Sequence, residues 1–206
     1  MPQSRRYKKK KSAGKAILAW IIVLAILAAG VFVFVSVFYE DAKKKLDEMN
    51  YPRTYSTYVE KAAKDYDLDP ALIYAVIHTE SGFDPKAESG VGAKGVMQMM
   101  PSSFEWLQEQ RGCAGQYTED DLFDPKICID YGSYLLKYFY DYYGTERSAI
   151  AAYNAGFVVS DWLNDTNYSS DGKNLDSIPY PETKNYVEKD ESAKEMYIKL
   201  YYSQSN

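Results

Sequence analysis

The sequence predicts a mainly α-helical domain carried behind a single N-terminal transmembrane helix, with at most one short hairpin. Three observations predict it. Residues 16–38 contain no charged side chain. Beyond residue 50 the apolar residues recur at intervals of three and four, the helical period, and few segments alternate as strands do. Asp69-Pro70 and Asp124-Pro125 each pair an N-cap carboxylate with a proline at the first helical position. No internal repeat is visible.

The N-terminal segment sets the placement of the chain. Residues 1–15 form a basic head (Arg5, Arg6, Lys8, Lys9, Lys10, Lys11 and Lys15), and the first acidic residue is Glu40. About 20 apolar residues suffice to cross a bilayer as a helix, and Trp20 and Tyr39 lie near the two ends of the run, where interfacial aromatics collect. Because the positive flank precedes the span, the head is expected in the cytoplasm and the body outside. A cleaved signal peptide is the competing reading, but its apolar core runs about 7–15 residues and ends on small side chains. This run is longer and closes on Phe32, Phe34 and Phe38. The expected organisation is therefore a head over 1–15, an anchor over 16–38, a juxtamembrane neck over 39–52 and a folded domain over 53–206. Seven of the 24 Lys and Arg lie in the head, so 17 remain against 29 acids, a net of −12 for the rest of the chain. An acidic body offers no basic face and argues against nucleic acid as a partner.

Within the body, Tyr55, Tyr58, Val59, Ala62 and Tyr66 recur at helical spacing. A second helix is expected from Pro70 to about Ser81. Asp84-Pro85 and the glycines from Gly90 to Gly95 make an irregular connection that could hold the hairpin. Pro101-Ser102 opens a helix carrying Phe104, Trp106 and Leu107, and Gly112 to Thr118 reads as loop. Pro125 begins a long helix to about Tyr143, ended by Gly144. Glu146 to Asn154 is a further helix, stopped by Gly156. A polar loop follows to Pro181, and the Asn164-Asp-Thr166 and Asn167-Tyr-Ser169 triplets are ordinary parts of it. Pro181-Glu-Thr then starts a last helix to about Tyr201. Cys113 and Cys128, both in the exported part, suggest a disulfide worth roughly 3 kcal/mol, with two buried free thiols as the alternative. Two cysteines and the single His78 are too few for a structural zinc site.

The chemistry concentrates at Glu80. Ile73, Val76 and Ile77 precede it by seven, four and three positions, so it shares their apolar face. It also sits near a helix C-terminus, where the macrodipole disfavours negative charge. Both effects hold a proton on the carboxyl, the property required of a general acid that cleaves a sugar–sugar bond. Most glycosidases use two carboxylates, yet Asp84 and Glu88 adjoin proline, serine and glycine and read as caps or solvated turns. A lone acid favours attack by a hydroxyl of the sugar itself over activation of water. His78, two residues away, falls on another face and reads as structural. Most of the 21 tyrosines, including Tyr134, Tyr138 and Tyr142, read as packing residues.

Four segments carry a resemblance. Glu80-Ser-Gly-Phe-Asp-Pro, Gly92-Ala-Lys-Gly-Val-Met-Gln-Met-Met-Pro101, Ala152-Tyr-Asn-Ala-Gly156 and Pro181-Glu-Thr-Lys-Asn-Tyr-Val187 resemble, in order, the signature blocks of soluble-lytic-transglycosylase-type domains. These belong to the lysozyme-like superfamily and are similar to goose-type lysozymes. The resemblance spans about residues 55–205 and implies a lysozyme-like fold acting on peptidoglycan glycan strands at the outer face of a bacterial cytoplasmic membrane, without metal or other cofactor. It implies cleavage of the β-1,4 bond between N-acetylmuramic acid and N-acetylglucosamine with closure of a 1,6-anhydro ring. It makes Glu80 the single acid/base. Ser89 and Gln98 correspond to polar residues near the reacting sugar, and Met100 to an apolar contact. Tyr153 and Asn154 correspond to the cleft residues of the third block, and Tyr186 to the late tyrosine that reaches back toward the glutamate. A lysozyme-type hydrolase and a non-catalytic glycan-binding scaffold are the alternatives.

Overall fold

The computed structural model describes residues 5–203, with side chains from residue 14 onward. The first four residues of the basic head lie outside the described residues. The chain divides at Asn50/Tyr51 into two units, each described by itself.

The first unit is one helix, α1 (Arg5–Asn50). It runs without interruption from the basic head through the apolar run and the charged stretch after it. Its apolar side chains, from Ile17 to Tyr39, are exposed on every side. A helix that is apolar all round is matched to lipid or a core rather than to water. Residues 16–38 extend about 34 Å at about 1.5 Å per residue, close to the thickness of a bilayer's hydrocarbon layer. Among the described residues it is the one helix long and apolar enough to cross a membrane.

The second unit holds α2 (Ser56–Tyr66), α3 (Pro70–Ser81), α4 (Pro101–Gln110), α5 (Pro125–Tyr143), α6 (Glu146–Ala155), α7 (Val159–Leu163) and α8 (Pro181–Tyr197). Both Asp-Pro starts work as their chemistry dictates: Asp69 accepts from the Ala71 amide at 2.8 Å and Asp124 from the Lys126 amide at 2.9 Å. α3 is the central element. Every residue from Ala71 to Ile77 is buried, so this helix is apolar round its whole circumference and not on one stripe alone. α8 and α2 pack against it, while α5 packs against α6 and α2, and α6 against α8.

Two features depart from the element-by-element expectation. The short α7 lies where only a continuation toward the polar loop is predicted, seated by buried Val159 and Trp162. The last helix also loosens at its end into a π-helical turn, Ile198–Tyr202. There the hydroxyls of Tyr197 and Tyr201 donate to the carbonyls of Pro52 and Tyr51, at 3.2 and 2.8 Å. No sheet forms among the described residues. The hairpin expected between Asp84 and Met100 is reduced to two isolated bridges, Glu88 with Lys94 and Lys94 with Met99.

The disulfide expected between Cys113 and Cys128 is not formed; both are free thiols. Each has other partners. Cys113 lies in the loop after α4, with its sulfur 3.3 Å from the Tyr131 hydroxyl. Cys128 is buried in α5, where its sulfur accepts from the Met97 amide at 3.4 Å. Burial pushes the Cys128 thiol up to about 12. It acts as a packing residue beneath the loop that leads to the site.

Candidate active site

Glu80 ends α3, and the chain turns sharply behind it. Gly82 caps the helix at φ 58° and Phe83 follows at φ 71°. Ser81 fastens this end to the next loop, donating through Oγ to the Val96 carbonyl at 2.7 Å. The sequence marks Ser81 only as the neighbour of a glutamate. Its partner is 15 residues away in an irregular segment, which no helical or strand period locates.

The loop 87–100 is held from beneath by close backbone approach. Gly95 has φ 77°, and a Cβ built there would lie 2.0 Å from the Leu122 carbonyl oxygen, so no larger residue fits. Gly132 on α5 likewise leaves room for the Met97 side chain, 2.5 Å from where its Cβ would stand. Lys94 is 8% exposed, and its ammonium pairs with Glu119 and Asp120 at 3.2 and 3.1 Å, pinning the loop to the 3-10 turn Glu119–Phe123. Met97 is fixed twice more, its amide by Cys128 and its carbonyl by the Tyr153 hydroxyl at 2.8 Å.

Two of the predicted site residues meet directly. Tyr186 donates its hydroxyl to Glu80 Oε1 at 2.7 Å, across 106 residues of sequence. Burial drives the Glu80 carboxyl up to about 7, and the Tyr186 bond, which favours the ionised form, opposes that rise. Tyr153 and Tyr186 are pushed well above the ordinary tyrosine range, first by burial and next by the charge of Glu80, so both stay protonated donors. The arrangement is a carboxyl that can give or take a proton near neutrality, oriented by a hydroxyl that does not ionise.

The hydrogen bonds of the remaining predicted residues go to partners other than this pair. Ser89 Oγ accepts from the Ala93 amide at 2.9 Å and closes the turn 89–93. Gln98 sits at φ 46° with its Nε2 donating to the carbonyls of Ala87 and Gly95, each at 3.0 Å. Two carbonyl partners fix which end of the amide carries nitrogen, so the oxygen of Gln98 is the end left for a ligand. Met100 is 38% exposed at the start of α4. Asn154 is exposed, and its Oδ1 accepts from Thr183 Oγ1 at 2.8 Å, joining the ends of α6 and α8. His78 lies apart from this group, stacked on Tyr51 with centroids 4.9 Å apart.

A second carboxyl lies nearby but out of the solvent's reach. Asp190, one turn beyond Tyr186 on α8, is fully buried, and neither of its oxygens has a hydrogen-bond partner. Burial first, then the charges of Glu146, Glu80 and Glu191, raise it well above the carboxylate range against the pull of Lys194, so it is held neutral. Its sequence neighbours Glu188, Lys189 and Glu191 look like a solvated helix face, which hides it. Asp84 is exposed and caps the Lys86 amide at 2.8 Å, and Glu88 is exposed.

Comparison with known proteins agrees with this geometry. The transglycosylase SLT domain model matches residues 57–175. The chain is 32% identical over 143 residues to the soluble lytic murein transglycosylase of Escherichia coli K12, covering 68% of this chain and 22% of that one. It is 35% identical over 113 residues to the membrane-bound lytic murein transglycosylase C of Actinobacillus succinogenes, covering 50% and 32%. Among solved structures it is similar to an inactive variant of the lytic transglycosylase Slt of Pseudomonas aeruginosa, with a TM-score of 0.66 and 29% identity, over 76% of this chain and 26% of that one. The chain thus spans about a fifth of the length of the first of these relatives.

Proposed function

The chain belongs to the transglycosylase SLT domain family, and on that premise we propose that it is a membrane-anchored lytic transglycosylase of peptidoglycan. The observation that carries the reading is Glu80, a desolvated carboxyl raised to about 7 and bonded by the Tyr186 hydroxyl at 2.7 Å.

Neutral Glu80 gives its proton to the glycosidic oxygen between N-acetylmuramic acid and N-acetylglucosamine, and the C1–O4 bond breaks with positive charge building on the muramic ring. The 6-hydroxyl of that ring closes on C1, and its proton passes to the Glu80 carboxylate. The acid is regenerated and a 1,6-anhydro sugar is formed without water. Tyr186 holds the carboxyl in place through the cycle. Tyr153 keeps the Met97 carbonyl fixed beside it. The oxygen of Gln98, with Ser89, Met100 and Asn154, provides contacts for the sugars on either side. Asp190 is sealed from solvent and cannot activate a water at the sugar, which supports internal attack.

Residues 16–38 serve as the anchor in this reading. The basic head over 1–15 stays in the cytoplasm, the neck over 39–52 leads out, and the domain over 53–206 works at the outer face of the bacterial cytoplasmic membrane. The acidic balance of the body suits a glycan partner and not nucleic acid.

The test is digestion of purified peptidoglycan by the full-length chain in detergent, with products weighed by mass spectrometry. Products carrying anhydro-muramic ends are expected. Products with reducing ends alone would overturn the reading in favour of hydrolysis, and no products at all would favour a glycan-binding scaffold. Glu80→Gln is expected to lower turnover by about 10³-fold while the fold keeps its stability.

A further inference from the structure

The domain carries an aromatic surface that the chemistry at Glu80 does not use. Phe157 stands immediately after Gly156 and is half exposed, at 50%, and Tyr142 at the end of α5 is 58% exposed. Phe157 is the hub of the cluster. Its ring meets Tyr142 edge-on at 5.8 Å, Tyr138 at 6.2 Å and Phe139 at 5.4 Å. Trp106 of α4 extends it, packing edge-on to Tyr138 at 5.0 Å. Large rings left in water cost solvation free energy, and a contiguous exposed aromatic patch is the kind of surface that binds a ligand or partner.

Chain geometry ties the patch to the site. Trp106 is six residues beyond Met100, about 9 Å along α4. Phe157 is three residues beyond Asn154. The segments that follow Met100 and Asn154 therefore meet at the same rings, Trp106 and Phe157 both packing on Tyr138. Its chemistry favours one occupant. The rings present flat apolar faces, with the hydroxyls of Tyr138 and Tyr142 at their edges, which suits the alternating C–H faces and hydroxyl rims of sugars. Asp141, next to Tyr142 and paired with Lys137 at 2.8 Å, and Asp161, four residues beyond Phe157, are exposed acids. That disfavours the anionic surface of a membrane.

We infer that Phe157 and Tyr142, backed by Tyr138 and Trp106, form a remote glycan subsite that grips a peptidoglycan strand beyond the sugars reacting at Glu80. The inference rests on the proposed glycan substrate. It assigns to the enzyme a preference for long strands over short fragments, because only a long strand occupies both regions.

The experiment uses the full-length chain in detergent with Glu80→Gln, so that strands persist, and measures binding of peptide-free glycan strands of graded length. Affinity is expected to rise about tenfold as strands lengthen past the reacting sugars. Adding Phe157→Ala and Tyr142→Ala together is expected to erase that gain. Tyr58→Ala, an exposed tyrosine on α2, is expected to keep it. The inference is overturned if the double variant keeps the full gain, or if Tyr58→Ala loses it equally. If the chain binds and, with Glu80 intact, cleaves strands with no gain from length, this inference alone falls. If it binds no glycan of any length, the proposed function falls with it.

Discussion

At the scale of single residues, the site is governed by how desolvation and one hydrogen bond divide the control of a proton. Burial raises Glu80 to about 7, and the Tyr186 hydroxyl pulls it back by favouring the anion. The acid must enter the reaction protonated, so turnover should fall as pH rises through about 7. Tyr186→Phe removes the opposing bond. The alkaline limb of the pH–rate profile should then move to higher pH while the maximum rate drops, because the carboxyl loses its orientation. A limb that stays in place, or moves down, would mean that Tyr186 does not bond the reacting form.

Asp190 gives a stability prediction whose sign follows from linkage. Its pKa in the fold lies well above its unfolded value, so the folded state keeps a proton that the unfolded state releases. Stability it provides at acid pH is therefore lost as pH climbs from about 4 toward the folded value. The neutral, equal-sized Asp190→Asn removes that slope. The two proteins should melt at similar temperatures near pH 4, and the variant should gain on the parent as pH rises toward 8. A constant difference across that range would place a charged Asp190 in the fold.

At the scale of elements, the loop 87–100 is seated on α5 and on the 3-10 turn Glu119–Phe123 by Gly95, Met97 and Lys94. Gly95→Ala would drive a methyl group into the Leu122 carbonyl at a positive φ. A loss of at least about 2 kcal/mol in unfolding free energy is expected, with activity reduced at temperatures where the variant is still folded. Unchanged melting would show that the loop can lift from the helix. Much of the helical framework was legible beforehand, since caps, prolines and apolar periods are local. Asp69-Pro70, Asp124-Pro125 and Gly144 set helix ends through the residues beside them. The contacts of Ser81 with Val96, Thr183 with Asn154 and Tyr153 with Met97 were not, because each joins segments with no shared period. The pairing of Cys113 with Cys128 failed for the same reason: an even count says nothing about where two thiols point.

At the scale of the whole molecule, a long apolar helix precedes a domain whose chemistry suits peptidoglycan. If residues 16–38 span the membrane, Ile26→Arg puts a charge near the middle of the span, at a cost of about 2.5–3.5 kcal/mol for insertion. A substantial fraction of that variant should leave the membrane pellet in a carbonate wash, where the parent stays. Equal retention would show that this helix is not the anchor.

The sequence by itself determined that the chain is helical, that an apolar run lies behind a basic head, and that Glu80 ends an apolar helix. Each rests on the order of neighbouring residues, and the four blocks extended this to a family. Only the tertiary structure decided that Tyr186 bonds Glu80, that Asp190 is buried without a partner, that both cysteines stay free, and that Trp106, Tyr138, Tyr142 and Phe157 gather on one surface. Those facts depend on which distant segments desolvate one another, and desolvation is a property of the packed chain.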